Sequence, residues 1–276
     1  MRNQICRVVW WSLAVVFTVV PVAVILSISM QTVDVLTTSR FSVVPDVRMD
    51  SAFTSISKTV GGNYSQSLLR SLWIALSTAI VSVVLSLVFH FYVTCNPTKK
   101  DLISRSLVTT LASLFFLPSF LLYFSFEPAV LGFSLPLSAY TQLFIASLLG
   151  TLPLTFFAIA SVSNERNWRM FESLRLDLTD DASAYKLAYV VHNTETLTIA
   201  FAIALATSWA EFDLAGLLTA REVIKPFAVQ LDMIRTQHMI DYSGFAGGTL
   251  VSFAVLAALS LFFWLCCKVY KRVNAP

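Results

Sequence analysis

The run SLWIALSTAIVSVVLSLVFHFY, residues 71–92, contains no Asp, Glu, Lys or Arg. An α-helix rises about 1.5 Å per residue, so about 20 such residues cross the roughly 30 Å hydrocarbon core of a bilayer. A strand of a membrane barrel would instead alternate apolar and polar residues over segments of about 10. The run therefore predicts a membrane-spanning helix. Five further stretches read the same way: 8–28, 107–126, 135–162, 197–210 with a continuation to 218, and 247–267. Glu211 and Asp213 interrupt the fifth run of the chain, and Pro118 is placed to bend the third. The fold class expected is all-α, a polytopic membrane protein with about six transmembrane helices.

Composition agrees. Hydrophobic residues make up 57% of the chain and charged residues 13%, and the mean hydropathy is +0.74, far from the balance of a water-soluble domain. Lys and Arg gather in short cytoplasmic loops. With the N-terminus inside, Arg2, Arg7, Lys99, Lys100, Arg105, Arg166, Arg169, Arg175, Lys186, Lys268, Lys271 and Arg272 lie on the cytoplasmic side. Arg40, Arg48, Lys58, Arg70, Arg221, Lys225 and Arg235 fall outside, and both termini are cytoplasmic. Cys6, Cys95, Cys266 and Cys267 all land at the reducing inner edge, so no disulfide is expected. Trp10, Trp11, Trp73 and Trp264 stand near the ends of runs, where interfacial anchors belong. The net charge of +3 follows from this topology, and no nucleic-acid partner is implied.

Arg2, Arg7 and the apolar stretch before Ser27-Ile28-Ser29 also resemble a cleavable signal peptide, but the apolar core is longer than the roughly 7 to 15 residues of such signals. The reading is a retained N-terminal helix in 1–30, an external loop at 31–66, and a membrane core at 67–276 that carries a cytoplasmic loop at 164–195. Loops longer than about 12 to 15 residues usually hold internal structure or a function.

That loop is the candidate partner surface. Met170, Leu174 and Leu178 recur at i, i+4 and i+8 and line one face of a helix, while Arg169, Glu172, Arg175 and Asp177 occupy other faces. Asn167 is an N-cap candidate for this helix. Thr179-Asp180-Asp181 supplies a turn and acidic caps for a second helix through Ala184, Leu187, Ala188 and Val191. Glu172, Asp177, Asp180 and Asp181 have only Arg175 among them to balance their charge, and an anionic inner leaflet would repel such a cluster. A protein partner is the better inference.

The arrangement resembles the type I permease subunits of binding-protein-dependent ABC importers. Their cytoplasmic loop reads E-A-A, three variable residues and G, followed by an apolar helix ending in L-P. Here Glu172 stands for the leading acid, Thr179 or Asp181 occupies the glycine position, and the segment at 192–194 has no proline. Leu152-Pro153-Leu154 is similar to the L-P-F of the family's fourth helix and Phe116-Leu117-Pro118 to the proline of its third. Ser208-Trp209-Ala210-Glu211-Phe212 is similar to its S-x-x-E-F, and Pro226-Phe227-Ala228-Val229-Gln230-Leu231 to its L-P-V-x-I-Y. The resemblance covers residues 67–270.

It implies a type I importer bundle in a bacterial inner membrane that passes solute inward while a separate ABC ATPase subunit hydrolyses ATP. An external solute-binding protein and two permease copies, identical or different, complete such an importer, and the missing glycine favours a second, different permease subunit here. Leu174, Leu178 and Tyr185 would be anchors in a groove of the ATPase, with Glu172, Asp180 and Asp181 as orienting charges and Thr179 at the turn. Pro118, Pro153, Glu211 and Asp213 would belong to the solute pathway or its gate. The residues agree on one point, since no G-x-x-x-x-G-K-[ST] loop exists to cradle phosphates. The chain is expected to bind no cofactor, ATP being held by the partner, and to be no enzyme. Asp241-Tyr242-Ser243-Gly244 lacks the first glycine of an intramembrane protease motif, and His90, His192 and His238 form no metal cluster. An ion-coupled secondary transporter and a non-transporting assembly protein remain the alternative readings.

Overall fold

The computed structural model describes residues 19, 21–29, 64–95, 110, 138–161, 165–178, 180–211, 213–236 and 242–274. Their regular structure is entirely helical. A short helical stretch covers 21–29. After it come α1 (Tyr64–Cys95), α2 (Ala139–Ala160), α3 (Glu165–Asp177), α4 (Asp181–Tyr185), a π-helical segment Lys186–Val191, α5 (Thr194–Ala210), α6 (Asp213–Leu218), α7 (Phe227–Thr236) and α8 (Tyr242–Asn274). The chain divides into two units, Met1–Leu68 with Val229–Val255, and Leu69–Ala228 with Leu256–Pro276.

Three helices among the described residues are long and apolar enough to cross a membrane: Tyr64–Cys95, Ala139–Ala160 and Gly244–Asn274. A fourth crossing arises if Asp181–Val191 and Thr194–Ala210, bent by 75°, form one span. The runs at 71–92, 135–162, 197–210 and 247–267 thus fall on these helices. The expected span at 107–126, apart from residue 110, and the beginning of that at 8–28 lie outside the described residues.

In the larger unit α1 is turned inside out relative to a soluble helix. Its buried face carries Ser71, Thr78, Ser82, Ser86, His90 and Thr94, while Trp73, Ile80, Val84, Val88 and Tyr92 are exposed. Lipid is as apolar as these side chains, so helices in a membrane associate through close packing of small residues and through hydrogen bonds. The α1–α2 contact follows that rule. Thr155 Oγ1 shares hydrogen bonds with Ser82 Oγ at 2.6 Å and Ser86 Oγ at 2.9 Å, beside an apolar layer of Leu85 and Phe89 against Leu152 and Phe156. Ser138 opens α2 by accepting the Thr141 backbone N–H at 3.2 Å, an N-cap that satisfies one of the helix's orphan donors. The most extensive helix pairing among the described residues is α2 with α5. Phe201 of α5 stacks on Phe263 of α8 at 4.1 Å between ring centroids.

In the smaller unit, Gly248 of α8 comes so close to Leu231 of α7 that an added β-carbon would meet the leucine side chain. Gln230 donates its side-chain amide to Ser67 Oγ at 3.0 Å.

Candidate functional site

The polar segment expected to meet a partner folds back on its own chain. Phe171 of α3 and Ala184, Tyr185, Ala188 and Tyr189 of the following helical segment form one buried cluster. Phe91 and Cys95 from the end of α1 pack against it, together with Trp168, Met170, Leu174 and Leu178. The apolar stripe of α3 therefore covers an internal core.

Tyr185 anchors this core. It is 5% exposed, shares a 2.7 Å hydrogen bond with His90 Nδ1, donates to the Leu87 carbonyl at 3.3 Å and stacks on Tyr189 at 5.0 Å. Its hydroxyl and ring are thus both engaged inside the chain. Leu174 and Leu178 are half-buried against the same cluster. What α3 turns outward is different: Leu176 is 89% exposed, and Glu172, Ser173 and Asp177 are exposed beside it.

The turn between α3 and α4 is built without glycine. Asp180 has φ −128° and ψ 124°, extended backbone open to any residue, and its carboxylate accepts the N–H groups of Ala182 and Ser183 at 3.2 Å each. The hydrogen bond from the Ala182 backbone, aided by those from Ser183, holds the exposed Asp180 carboxyl below the usual carboxylate range. The sequence reading of Asp180 as a cap holds. Asp181 forms a two-pronged ion pair with Arg175, Nε to Oδ1 at 2.7 Å and Nη2 to Oδ2 at 2.9 Å, so the acidic cluster is neutralised at that point. This fork joins the last turn of α3 to the first of α4, a geometry only a guanidinium supplies. Thr179 lies outside the described residues.

Asn167 is not the cap of α3. The helix already includes Glu165, and Asn167 is buried, its amide donating to Asn193 Oδ1 at 3.3 Å. Asn193 in turn donates to the carbonyls of Ala188 at 3.1 Å and Tyr189 at 3.3 Å. These bonds occupy carbonyls at the end of the π-helical segment, where the chain bends by 75° into α5. The Asn193 amide thus ties the start of α5 back across the bend. Sequence reasoning missed both the Asn167–Asn193 pair and the π-helix. A wide turn of this type occurs mostly as a single-turn insertion, often at functional sites, and no local pattern in Lys186–Val191 announces it.

The described pathway candidates lie on separate elements. Pro153 is buried within α2, and Pro118 lies outside the described residues. Glu211 is the half-buried C-cap of α5, with φ −69° and ψ 92°, and Asp213 opens α6, exposed to solvent and favourably placed at the positive end of that helix. The two acids bracket the break between α5 and α6. Two of the motif segments do meet, since Trp209 is 6.1 Å from Phe227 between ring centroids and the Phe227 N–H donates to Ser71 Oγ at 2.7 Å. Among the described residues no group of His, Cys, Asp and Glu could hold a metal ion. No family model matches the chain, and no curated protein matches it.

Proposed function

We propose that this chain is the membrane-embedded permease subunit of an ATP-driven importer, paired with a second permease, fed by an external solute-binding protein and driven by an ABC ATPase on the cytoplasmic face of a bacterial inner membrane. The observation that carries the reading is mechanical. The polar α3–α4 pair is fastened to the end of α1 through Tyr185 and His90 and to the bend before α5 through Asn167 and Asn193. A push on its outer surface therefore reaches two membrane helices without passing through a slack loop, which is what rigid-body coupling requires. That outer surface offers Leu176 as an apolar projection among Glu172, Asp177 and Asp180, a pattern suited to a groove with a basic rim. The internal use of Leu174, Leu178 and Tyr185 supports a coupling element that is preformed.

Purification of the tagged chain from its native membrane tests the proposal. Co-purification of a P-loop ATPase, with solute uptake abolished by ATP depletion, is the expected result. A chain that purifies alone and moves solute on a proton or sodium gradient is a secondary transporter, and one that moves nothing is an assembly protein. Either outcome refutes the proposal.

A further inference from the structure

A cleft of about 270 Å³ opens between the N-terminal halves of α1 and α2, lined by Trp73, Ile74, Ser77, Tyr140, Thr141 and Phe144. Arg70 touches one of these lining residues, Tyr140. On α1, Arg70, Trp73, Ile74 and Ser77 follow the i, i+3, i+4, i+7 spacing of a single face. The Arg70 guanidinium lies 4.7 Å over the Tyr140 ring, and its Nη1 donates to the Tyr140 hydroxyl and the Ile224 carbonyl. Those contacts fix its orientation while engaging, among the described residues, one of its three nitrogens. Among the described residues no carboxylate pairs with it, and the first turns of α1 and α2 contain no acidic residue. A guanidinium held in place over an aromatic ring, with a second edge unspent, is built to receive an oxyanion.

The rest of the cleft says which oxyanion. Trp73, one turn along from Arg70, is 75% exposed on a helix apolar enough to span a membrane, so the cleft opens on the lipid phase, with its tryptophan at headgroup depth. Seven residues separate Arg70 from Ser77, about 10 Å along the helix, the drop from a headgroup into the upper acyl region. Trp73, Ile74 and Phe144 form apolar walls over that drop. The volume is below the roughly 300–1,000 Å³ of pockets that enclose a small molecule, too small to enclose a whole solute and suited to part of a chain lodged from the side.

We infer that this cleft binds a phospholipid of the adjoining leaflet, its phosphate on Arg70 and the upper part of one acyl chain between Trp73, Ile74 and Phe144. The inference rests on the membrane helices alone and is independent of the transport proposal.

Native mass spectrometry of the purified full chain, titrated in detergent with phosphatidylglycerol, tests it. The wild type retains one lipid more tightly than the rest, and Arg70→Gln weakens that site about tenfold, as expected for a charge-assisted hydrogen bond. Trp73→Ala also weakens it severalfold and leaves thermal unfolding unchanged, since this side chain is mostly exposed; it carries the test alone if Arg70→Gln does not fold. Soluble glycerol phosphate, which has the phosphate and no chain, should not compete. Wild-type lipid retention by both variants, or by Trp73→Ala where Arg70→Gln does not fold, overturns the inference, as does glycerol phosphate binding as tightly as the lipid, which would make the site a free-phosphate site.

Discussion

Replacing Tyr185 with Phe removes one oxygen and keeps the ring. The ring contacts, 5.1 Å to Phe91 and 5.0 Å to Tyr189, survive, so the cost is confined to polar bonds. Lost are the 2.7 Å bond to His90 Nδ1, on a residue 3% exposed, and the bond to the Leu87 carbonyl. Depriving a buried group of its partner costs about 1–3 kcal/mol. Each 1.4 kcal/mol is a factor of ten, so the population in which the α3–α4 pair has lifted off α1 rises about 5- to 150-fold. Cys95, half-buried against the same cluster, reports that population directly. With Cys6, Cys266 and Cys267 changed to Ser, the rate at which Cys95 reacts with a thiol reagent in membranes tracks the open fraction when opening is fast. The expected result is acceleration in that range at unchanged expression. An unaltered rate would mean that the tyrosine–histidine bond does not fasten the segment, and the mechanical continuity drawn above would fail with it.

Thr155→Val should lower thermal stability in detergent by about 1–2 kcal/mol, because hydrogen bonds between membrane helices average about 0.6 kcal/mol each and Thr155 serves both Ser82 and Ser86; an unchanged melting curve would contradict the assigned role of that contact. Arg175→Gln should cost less than about 1 kcal/mol, since the ion pair is 37% and 43% exposed on its two sides and exposed pairs are worth little, a value a double-mutant cycle with Asp181→Asn would measure. Asp180 has a folded pKa below its unfolded value, so the stability it lends to α4 is present above about pH 4, the ordinary carboxylate value, and is lost as pH falls through its lower folded value. Hydrogen exchange at Ala182 and Ser183 should accelerate over that acidic range in the wild type, and the acceleration should be absent in Asp180→Asn.

Part of the membrane architecture was legible because apolar run length and helical rise are local properties: the run at 71–92 sits within Tyr64–Cys95, and Ala139–Ala160 lies within the run at 135–162. The helix α1 extends past its run because Tyr64, Ser65, Gln66 and Ser67 break no helical rule even though they are too polar to count as spanning. The Asp180 cap was legible for the same reason, since its side chain meets backbone only two and three residues ahead. What periodicity could not supply is the identity of the covering surface. Met170, Leu174 and Leu178 mark an apolar face equally well whether a partner or the chain itself lies over it. The face packs on the cluster of Ala184, Tyr185, Ala188 and Tyr189, and that cluster is held in turn by α1, far away in sequence, 95 positions in the case of His90 and Tyr185. Asn167 misled for a similar reason: its cap chemistry is real, but the amide is spent on Asn193, 26 residues on.

The proposed function turns on whether an ATPase touches the outer face of α3. A photoreactive amino acid placed at Leu176, which is 89% exposed, and irradiated in native membranes decides this most directly. The account predicts a crosslinked product that contains a P-loop ATPase and disappears when Glu172 and Asp177 are both changed to Lys. Crosslinks to lipid alone, in membranes where the chain still moves its solute, would contradict it.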